Sequence, residues 1–530
     1  MTQLLRLAGL CLLLSTALPL AAASVDPRCE RLAGLKLEQG AVEAAETVTG
    51  PVVIPGGGGW PEQRFDAPDR CRVRGVLRPG KDSDIRFEVW LPLKGWNGRL
   101  EMNGNGGFGG MIPEWDMAGT LQRGAVTTAS DTGHVGSYES PTTEQWSGNP
   151  DKLVDFGHRA VHVNAVAAKQ IIAAFYGSPA KHSYFMSCSN GGRQALMSAQ
   201  RYPADFDGIL AGAPANNWTR LMTFAAMVQH RFVTVPDSRL AVTQIPQIQQ
   251  ATLAACDGID HVEDGLVDDP RECKFDPRTL ACSSDNKTSC LTPAHVGSLN
   301  LLYGRSAESR IVPTHFEPGT ESPGWEAWIV GSPTEASGHA DFGLRFFRDF
   351  VHKDRSWTLA KFNLATDSRR ATEQMAQAWD AVDTNLEPFF ARGGKLIMYH
   401  GWLDPAIPTG DSIGYFDGVG NRIGIARRDA SSRLYLISGL GHCAGGPGFQ
   451  EFASWNTNGQ PAAADRQLDE ALRVWVENGV APRAVIAART LPDGKRETRP
   501  LCPYPQRALW NGHDDVHRAE SFSCGVPKSE

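Results

Sequence analysis

Apolar and polar positions alternate over Asp84-Ile85-Arg86-Phe87-Glu88-Val89-Trp90, which predicts a half-exposed strand. Leu100-Glu101-Met102 predicts a second strand, entering a glycine-rich loop at 103–110, and Ala125 to Ala129 predicts a third. Over 158–176 alanine, valine and isoleucine fall at helical spacing. Ser183 to Met186 then reads as a strand, Asn190 to Gln200 as a helix stopped near Tyr202-Pro203, and Ile209 to Pro214 as a buried strand and turn. Residues 216–390 lose this alternation and carry four cysteines, several tryptophans and an acidic loop. Strands return at Lys395 to Tyr399 and Leu434 to Ile437, and Leu468 to Asn478 is an amphipathic helix closed by Gly479. Strand–helix alternation on both sides of a different middle segment predicts an α/β fold. The expected form is a mostly parallel sheet built from 24–215 and 391–530, with a large inserted lid domain at 216–390.

The first 23 residues form a separate unit. Arg6, the apolar run Leu7 to Leu20 and the small residues Ala21-Ala22-Ala23 read as a signal peptide cut after Ala23. The run is too short to span a bilayer comfortably, and no later stretch reads as transmembrane. The mature chain is therefore expected to be secreted or periplasmic, with no membrane partner. A net charge of −7 without a basic block argues against nucleic acid as a partner. Eleven cysteines become ten once Cys11 leaves with the signal. An even number in an exported chain points to disulfides, and the lack of any CxxC pair argues against thiol-bound metal. Proximity favours Cys256 with Cys273, Cys282 with Cys290, Cys502 with Cys524 and Cys29 with Cys71, leaving Cys188 and Cys443. Spacing does not determine the connectivity.

The candidate chemistry lies at predicted strand ends. Ser187-Cys188-Ser189-Asn190-Gly191-Gly192 separates a strand from a helix, the context of a nucleophile elbow, where small neighbours permit a sharp turn. Asp404 follows the strand ending at Tyr399, and His442 follows the one ending at Ile437. Open α/β sheets place their chemistry at such strand ends, and Ser…Asp…His is the hydrolase order. An oxyanion hole needs preorganised donors; the Asn190 N–H and that of Gly106 or Gly107 are the candidates. A phosphate-binding reading of the glycine loop fails, because no Gly-Lys-Ser/Thr ending follows. Asp257, Asp260 and Asp264, with Gly265 for the turn, form a dense set of hard oxygen ligands suited to Ca²⁺. The loop is not an EF-hand: Val262 stands where a carboxylate is expected, and Arg271 where the bidentate glutamate belongs.

The motifs CSNGGRQAL at 188–196, DGILAGAP at 207–214, YHGWLDPAIP at 399–408, GHCAGGPG at 441–448 and RPLCPYP at 499–505 resemble the tannase and feruloyl esterase family. That family also contains mono(hydroxyethyl) terephthalate hydrolases. The resemblance covers essentially the whole mature chain, with one departure: Ser187 stands where the family more often has glycine. It implies an α/β-hydrolase fold, a serine esterase with Ser189, Asp404 and His442 as triad, and a Cys188–Cys443 bridge beside the four pairings above. It further implies a structural calcium on Asp257, Asp260 and Asp264 with the carbonyls of Val262 and Leu266. The implied substrates are small esters of hydroxybenzoic or hydroxycinnamic acids, such as gallic or ferulic acid. Trp325, Trp328, Phe346 and Phe347 are candidates to line the acid pocket, and Arg345 and Arg348 could meet a carboxylate. Two other readings stand beside this one: an esterase for hydroxyalkyl aromatic esters such as mono(2-hydroxyethyl) terephthalate, and a non-catalytic exported binding protein on the same fold.

Overall fold

The computed structural model describes residues 25–56, 61–137, 140–283, 290–332, 334–454 and 463–527. The signal peptide expected at 1–23 lies outside the described residues. The main sheet has ten strands among them: β1 (Lys36–Leu37), β2 (Gly40–Val48), β3 (Arg70–Leu77), β4 (Ile85–Pro92), β5 (Arg99–Asn103), β6 (Val126–Ser130), β7 (His182–Cys188), β8 (Gly208–Gly212), β9 (Lys395–Gly401) and β10 (Ser432–Ile437). Their spatial order is β1-β2-β3-β4-β6-β5-β7-β8-β9-β10. From β6 to β10 every pairing is parallel, whereas β1 to β4 form an antiparallel meander that also meets β6 antiparallel. The sheet is thus more mixed than expected. Short connections such as the one from Leu77 to Ile85 permit only antiparallel neighbours, while parallel ones need a crossover helix. This is an α/β-hydrolase fold.

Side chains of the central strands alternate between two apolar layers, as the two-residue period requires. Tyr184, Met186, Leu210, Ile397 and Tyr399 pack with the helix Leu468–Asn478. Phe185, Ile209, Ala211 and Met398 face the other way, toward the helix Asn190–Arg201. Burial on both faces also explains why the strand expected to be half-exposed at 84–90 is not. In β4 only Arg86 is exposed. Glu88 is accepted inside because Arg72 forks it through Nε and Nη2 at 2.8 and 2.7 Å, and Trp90 Nε1 donates to it at 2.6 Å.

Between β8 and β9 the chain adds no strand to this sheet among the described residues. It folds instead into helices, including Trp218–Thr234, Ile245–Cys256, Pro293–Leu302, Gly338–Arg345 and Leu364–Trp379. These share one apolar cluster that reaches into the sheet-bearing part at Phe108, Trp146 and Phe156. Five disulfides join Cys29 to Cys71, Cys188 to Cys443, Cys256 to Cys273, Cys282 to Cys290 and Cys502 to Cys524.

Candidate active site

Four strand ends converge on one place. Asn103 of β5 pairs with Met186 of β7, Cys188 with Gly212 of β8, Gly212 with Tyr399 of β9, and Gly401 with Ile437 of β10. The glycine loop, Ser189, Asp404 and His442 follow these ends directly. Ser189 has φ 66° and ψ −129°, a conformation costing a non-glycine residue about 1–3 kcal/mol. Its neighbours make that possible. A Cβ at Gly192 would overlap the Gly212 carbonyl and crowd Pro214, and one at Gly191 would overlap the Ser187 side chain. Ser187 itself is tolerated because the residues that face its hydroxyl are Gly191 and Gly104. Two glycines thus accommodate the departure from the usual elbow pattern.

His442 lies between the other two members. Its Nδ1 is 2.8 Å from Asp404 Oδ2 and its Nε2 is 2.9 Å from Ser189 Oγ. A carboxylate can only accept, so Nδ1 carries the proton and Nε2 is free to receive one. Asp404 Oδ1 accepts from the backbone N–H groups of Ala406 and Ile407 at 2.8 and 2.9 Å. Burial alone would push this carboxyl up, but His442 and His400 together hold it well below the usual carboxylate range. His400, whose Nε2 is 3.2 Å from Asp404 Oδ2, stands inside the motif at 399–408 but carried no signal of its own in the sequence. The Cys188–Cys443 bridge spans 5.9 Å between Cα atoms and joins the residue before Ser189 to the residue after His442. Cys443 also has positive φ, 63°.

The glycine loop is fastened to the helix that follows Ser189. Gln194 Oε1 accepts from Asn105 N–H at 3.0 Å, and Gln194 Nε2 donates to Asn105 Oδ1 at 3.2 Å. His134 Nε2 donates to Phe108 O at 2.8 Å from the other side. Gly106 and Gly107 remain partly exposed and line the same cavity as Ser189. Asn190 opens the helix Asn190–Arg201, where an amide has no partner one turn back.

The cavity has a volume of about 980 Å³ and two unlike ends. One is mainly polar, with Gln63, Arg64, Asp66, Asp116 and Arg123 beside Phe65 and Trp115. Asp116 is exposed to the cavity yet enclosed by protein, which pushes its carboxyl up to about 6. The other end is aromatic. Phe108 stacks on Phe342 at 5.1 Å, Trp328 meets Phe342 at 6.1 Å, and the Trp328 ring stands edge-on to His442 at 5.5 Å. Of the four aromatic candidates, only Trp328 lines the cavity. Trp325 is fully buried against Tyr303 and Phe316, and Phe346 and Phe347 pack on Trp379 and Trp357. Arg345 and Arg348 lie away from the cavity lining, paired with Asp341 and Asp349 at 2.8 and 2.7 Å. Phe342, Trp218 and His339 line it instead; nothing in the sequence distinguishes a cavity-lining ring from a core ring.

The acidic loop is folded on itself. Asp257 accepts from the N–H groups of Asp264 and Gly265, Asp260 from Val262, and Asp264 from Leu266 and from Arg499 Nη2 at 2.9 Å. Among the described residues no three His, Cys, Asp or Glu side chains converge on a metal-sized gap. The carboxylates of Asp257, Asp260 and Asp264 are hard oxygen donors of the type Ca²⁺ takes, and Arg499 and Arg489 compete for Asp264 at 2.9 and 3.5 Å.

A family model described as tannase and feruloyl esterase matches residues 71–525. An uncharacterized esterase of Xanthomonas campestris pv. campestris is 36% identical, the match covering 98% of this chain and 96% of that protein. A probable feruloyl esterase B-1 of Aspergillus flavus is 32% identical over 86% of each. The crystal structure of feruloyl esterase B from Aspergillus oryzae superposes with a TM-score of 0.83 at 27% identity, covering 94% of this chain and 99% of that one. Tannin acyl hydrolase from Aspergillus niger, at 21% identity and TM-score 0.74, shares the fold over 94% of this chain and 95% of that one. With this match across most of its length, the chain belongs to the tannase and feruloyl esterase family and is a carboxylic ester hydrolase.

Proposed function

We propose that this protein is a secreted serine esterase that cleaves esters of hydroxybenzoic or hydroxycinnamic acids through an acyl-enzyme on Ser189. The observation that carries the reading is the unbroken hydrogen-bonded chain Ser189–His442–Asp404, on which a purely binding role would make no demand. Ser189 Oγ attacks the ester carbonyl carbon while His442 Nε2 takes its proton. The oxyanion is met by the N–H groups of Asn190 and of Gly106 or Gly107. The C–O bond breaks, and the leaving alcohol takes the proton from Nε2. Water then gives a proton to Nε2, attacks the acyl carbon, and the acid leaves as Ser189 recovers its hydrogen. Asp404 keeps the imidazole in the tautomer that both halves of the cycle need. Residues 216–390 act as the lid over a core of 24–215 and 391–530, and the acid ring occupies the aromatic end beside Trp328. A hydrolysis panel of methyl gallate, methyl ferulate and mono(2-hydroxyethyl) terephthalate tests the assignment. Turnover confined to the last of these would replace it with the hydroxyalkyl ester reading.

A calcium ion held by Asp257, Asp260 and Asp264 with the carbonyls of Val262 and Leu266 would stabilise the lid and take no part in the chemistry. For a site saturated about a hundredfold above its Kd, removal costs about 2.7 kcal/mol of stability. EDTA is therefore expected to lower the melting temperature while leaving kcat at 25 °C nearly unchanged. A melting temperature indifferent both to EDTA and to Asp260→Ala would rule the ion out.

A further inference from the structure

A second imidazole grips Asp404 from the side away from the cavity. His400, on β9, is fully buried and stands outside the cavity lining. Its Nε2 is 3.0 Å from the Ile407 carbonyl oxygen and 3.2 Å from Asp404 Oδ2. A carbonyl oxygen and an ionised carboxylate both only accept, so Nε2 carries the proton and faces the two of them. Its Nδ1 is left with a lone pair and accepts from Ser412 Oγ at 2.7 Å, a buried hydroxyl on the helix Thr409–Ile423. The Asp404 oxygen that meets His400 is the one that meets His442 Nδ1 at 2.8 Å. The other, Oδ1, is held by the N–H groups of Ala406 and Ile407. The residues before His400 on β9, Leu396 to Tyr399, are buried and mostly apolar. A polar ring at this depth persists only with partners, and two of the three partners of His400 belong to the Asp404 turn.

We propose that His400 is a positioning residue for the triad: its Nε2–H holds Asp404 Oδ2 against His442 Nδ1 and draws off part of the carboxylate's charge, which sets how readily His442 takes a proton. This rests on the triad reading above. The other ionisable groups nearby are accounted for. Tyr399 and His339 lie in the field of Asp404. Asp411, which lies in the field of His400, is paired with Arg220 at 2.7 Å and accepts from Thr314 Oγ1 at 3.2 Å. The sign of the effect follows from the shared oxygen. Without the His400 N–H, more of the Asp404 charge faces His442, and the His442 imidazolium is stabilised. Only the neutral imidazole can take the Ser189 proton, so the acid limb of the rate moves to higher pH. The freed turn also lets the carboxylate drift from Nδ1, which lowers kcat. KM is spared, because His400 does not reach the cavity wall.

The test follows kcat and KM of the intact enzyme for 4-nitrophenyl acetate across the acid limb. His400→Phe keeps a ring and removes both nitrogens. It is expected to lower kcat roughly tenfold to a hundredfold with KM within about twofold of the parent. The acid limb of kcat/KM should rise by about half to one pH unit. His400→Gln places an amide N–H where Nε2–H stands, and is expected to recover most of kcat and to bring the limb back toward the parent. A role confined to core packing would reduce the yield of folded protein and leave the limb in place. A folded His400→Phe with parental kcat and parental limb would overturn the proposal, and so would a His400→Gln as impaired as the phenylalanine variant. The parent supplies a check that depends on no variant. In nitrogen NMR of the histidine-labelled enzyme, His400 is expected to keep its proton on Nε2 throughout the titration of His442. A His400 protonated on Nδ1 alone would have no donor for Asp404, and the proposal would fall. Hydrolysis by the parent that survives Ser189→Ala would sink the triad reading, and this proposal with it.

Discussion

Ser189→Ala is expected to lower ester turnover by at least about 10⁴-fold while leaving the fold intact. Ser189 Oγ, 2.9 Å from His442 Nε2, is the nucleophile of the proposed mechanism, and water lacks its fixed position. Alanine relieves nothing that holds the elbow together. Ser189 N–H donates to the Gly212 carbonyl and Ser189 O accepts from Ala215, and both are backbone bonds that the substitution keeps. Circular dichroism should therefore match the parent, and the melting temperature should shift little. Stopped assays on material free of parental enzyme check the rate. Near-native turnover in a folded preparation would sink the assignment of Ser189 as nucleophile.

Loss of the Cys188–Cys443 bridge should be the second largest effect. The bond spans 255 positions, and loop-closure entropy assigns such a link about 5 kcal/mol, although strain and residual structure often reduce the measured value. The local consequence is sharper. Both the residue beside the bridge on one side, Ser189, and the bridged Cys443 hold positive φ, so each end tends to relax once released. His442 precedes Cys443 in a loop rich in glycine, and a shift of about 1 Å at the imidazole can cost on the order of a hundredfold in rate. Cys188→Ala combined with Cys443→Ala is expected to lose about that factor at temperatures where circular dichroism shows it folded. Activity and dichroism should be taken from the same preparation. Parental kcat in the folded double variant would show that the bridge does not position the triad.

Local pattern carried much of this. The strand at 183–186 and the helix from Asn190 are legible because the sharp turn between them needs small neighbours, which Gly191 and Gly192 supply. Asp404 and His442 are legible because each follows a run of buried strand residues. The helix Leu468–Asn478 was readable end to end, since its apolar spacing stops at Gly479, which has φ 73°. The half-exposed reading of 84–90 failed because alternation reports only one charged face. It cannot reveal that Arg72, on a neighbouring strand, arrives to neutralise Glu88.

The order of elements, the elbow and the three strand-end residues are legible in the residues alone, because each depends on contacts within a few positions along the chain. Its cysteine spacing suggested local pairs, but the 188–443 link required two strand ends to meet. The identity of the residues that face the cavity emerges only from packing. Trp325 and Trp328 are the same residue type three positions apart, yet one is sealed in the helical apolar cluster and the other stands edge-on to His442. Arg345 and Arg348 are equally cationic in sequence, and both are neutralised by the nearby acids Asp341 and Asp349. Which ring faces the cavity depends on how distant segments cover one another. That is a property of packing across the cavity, and no local period encodes it.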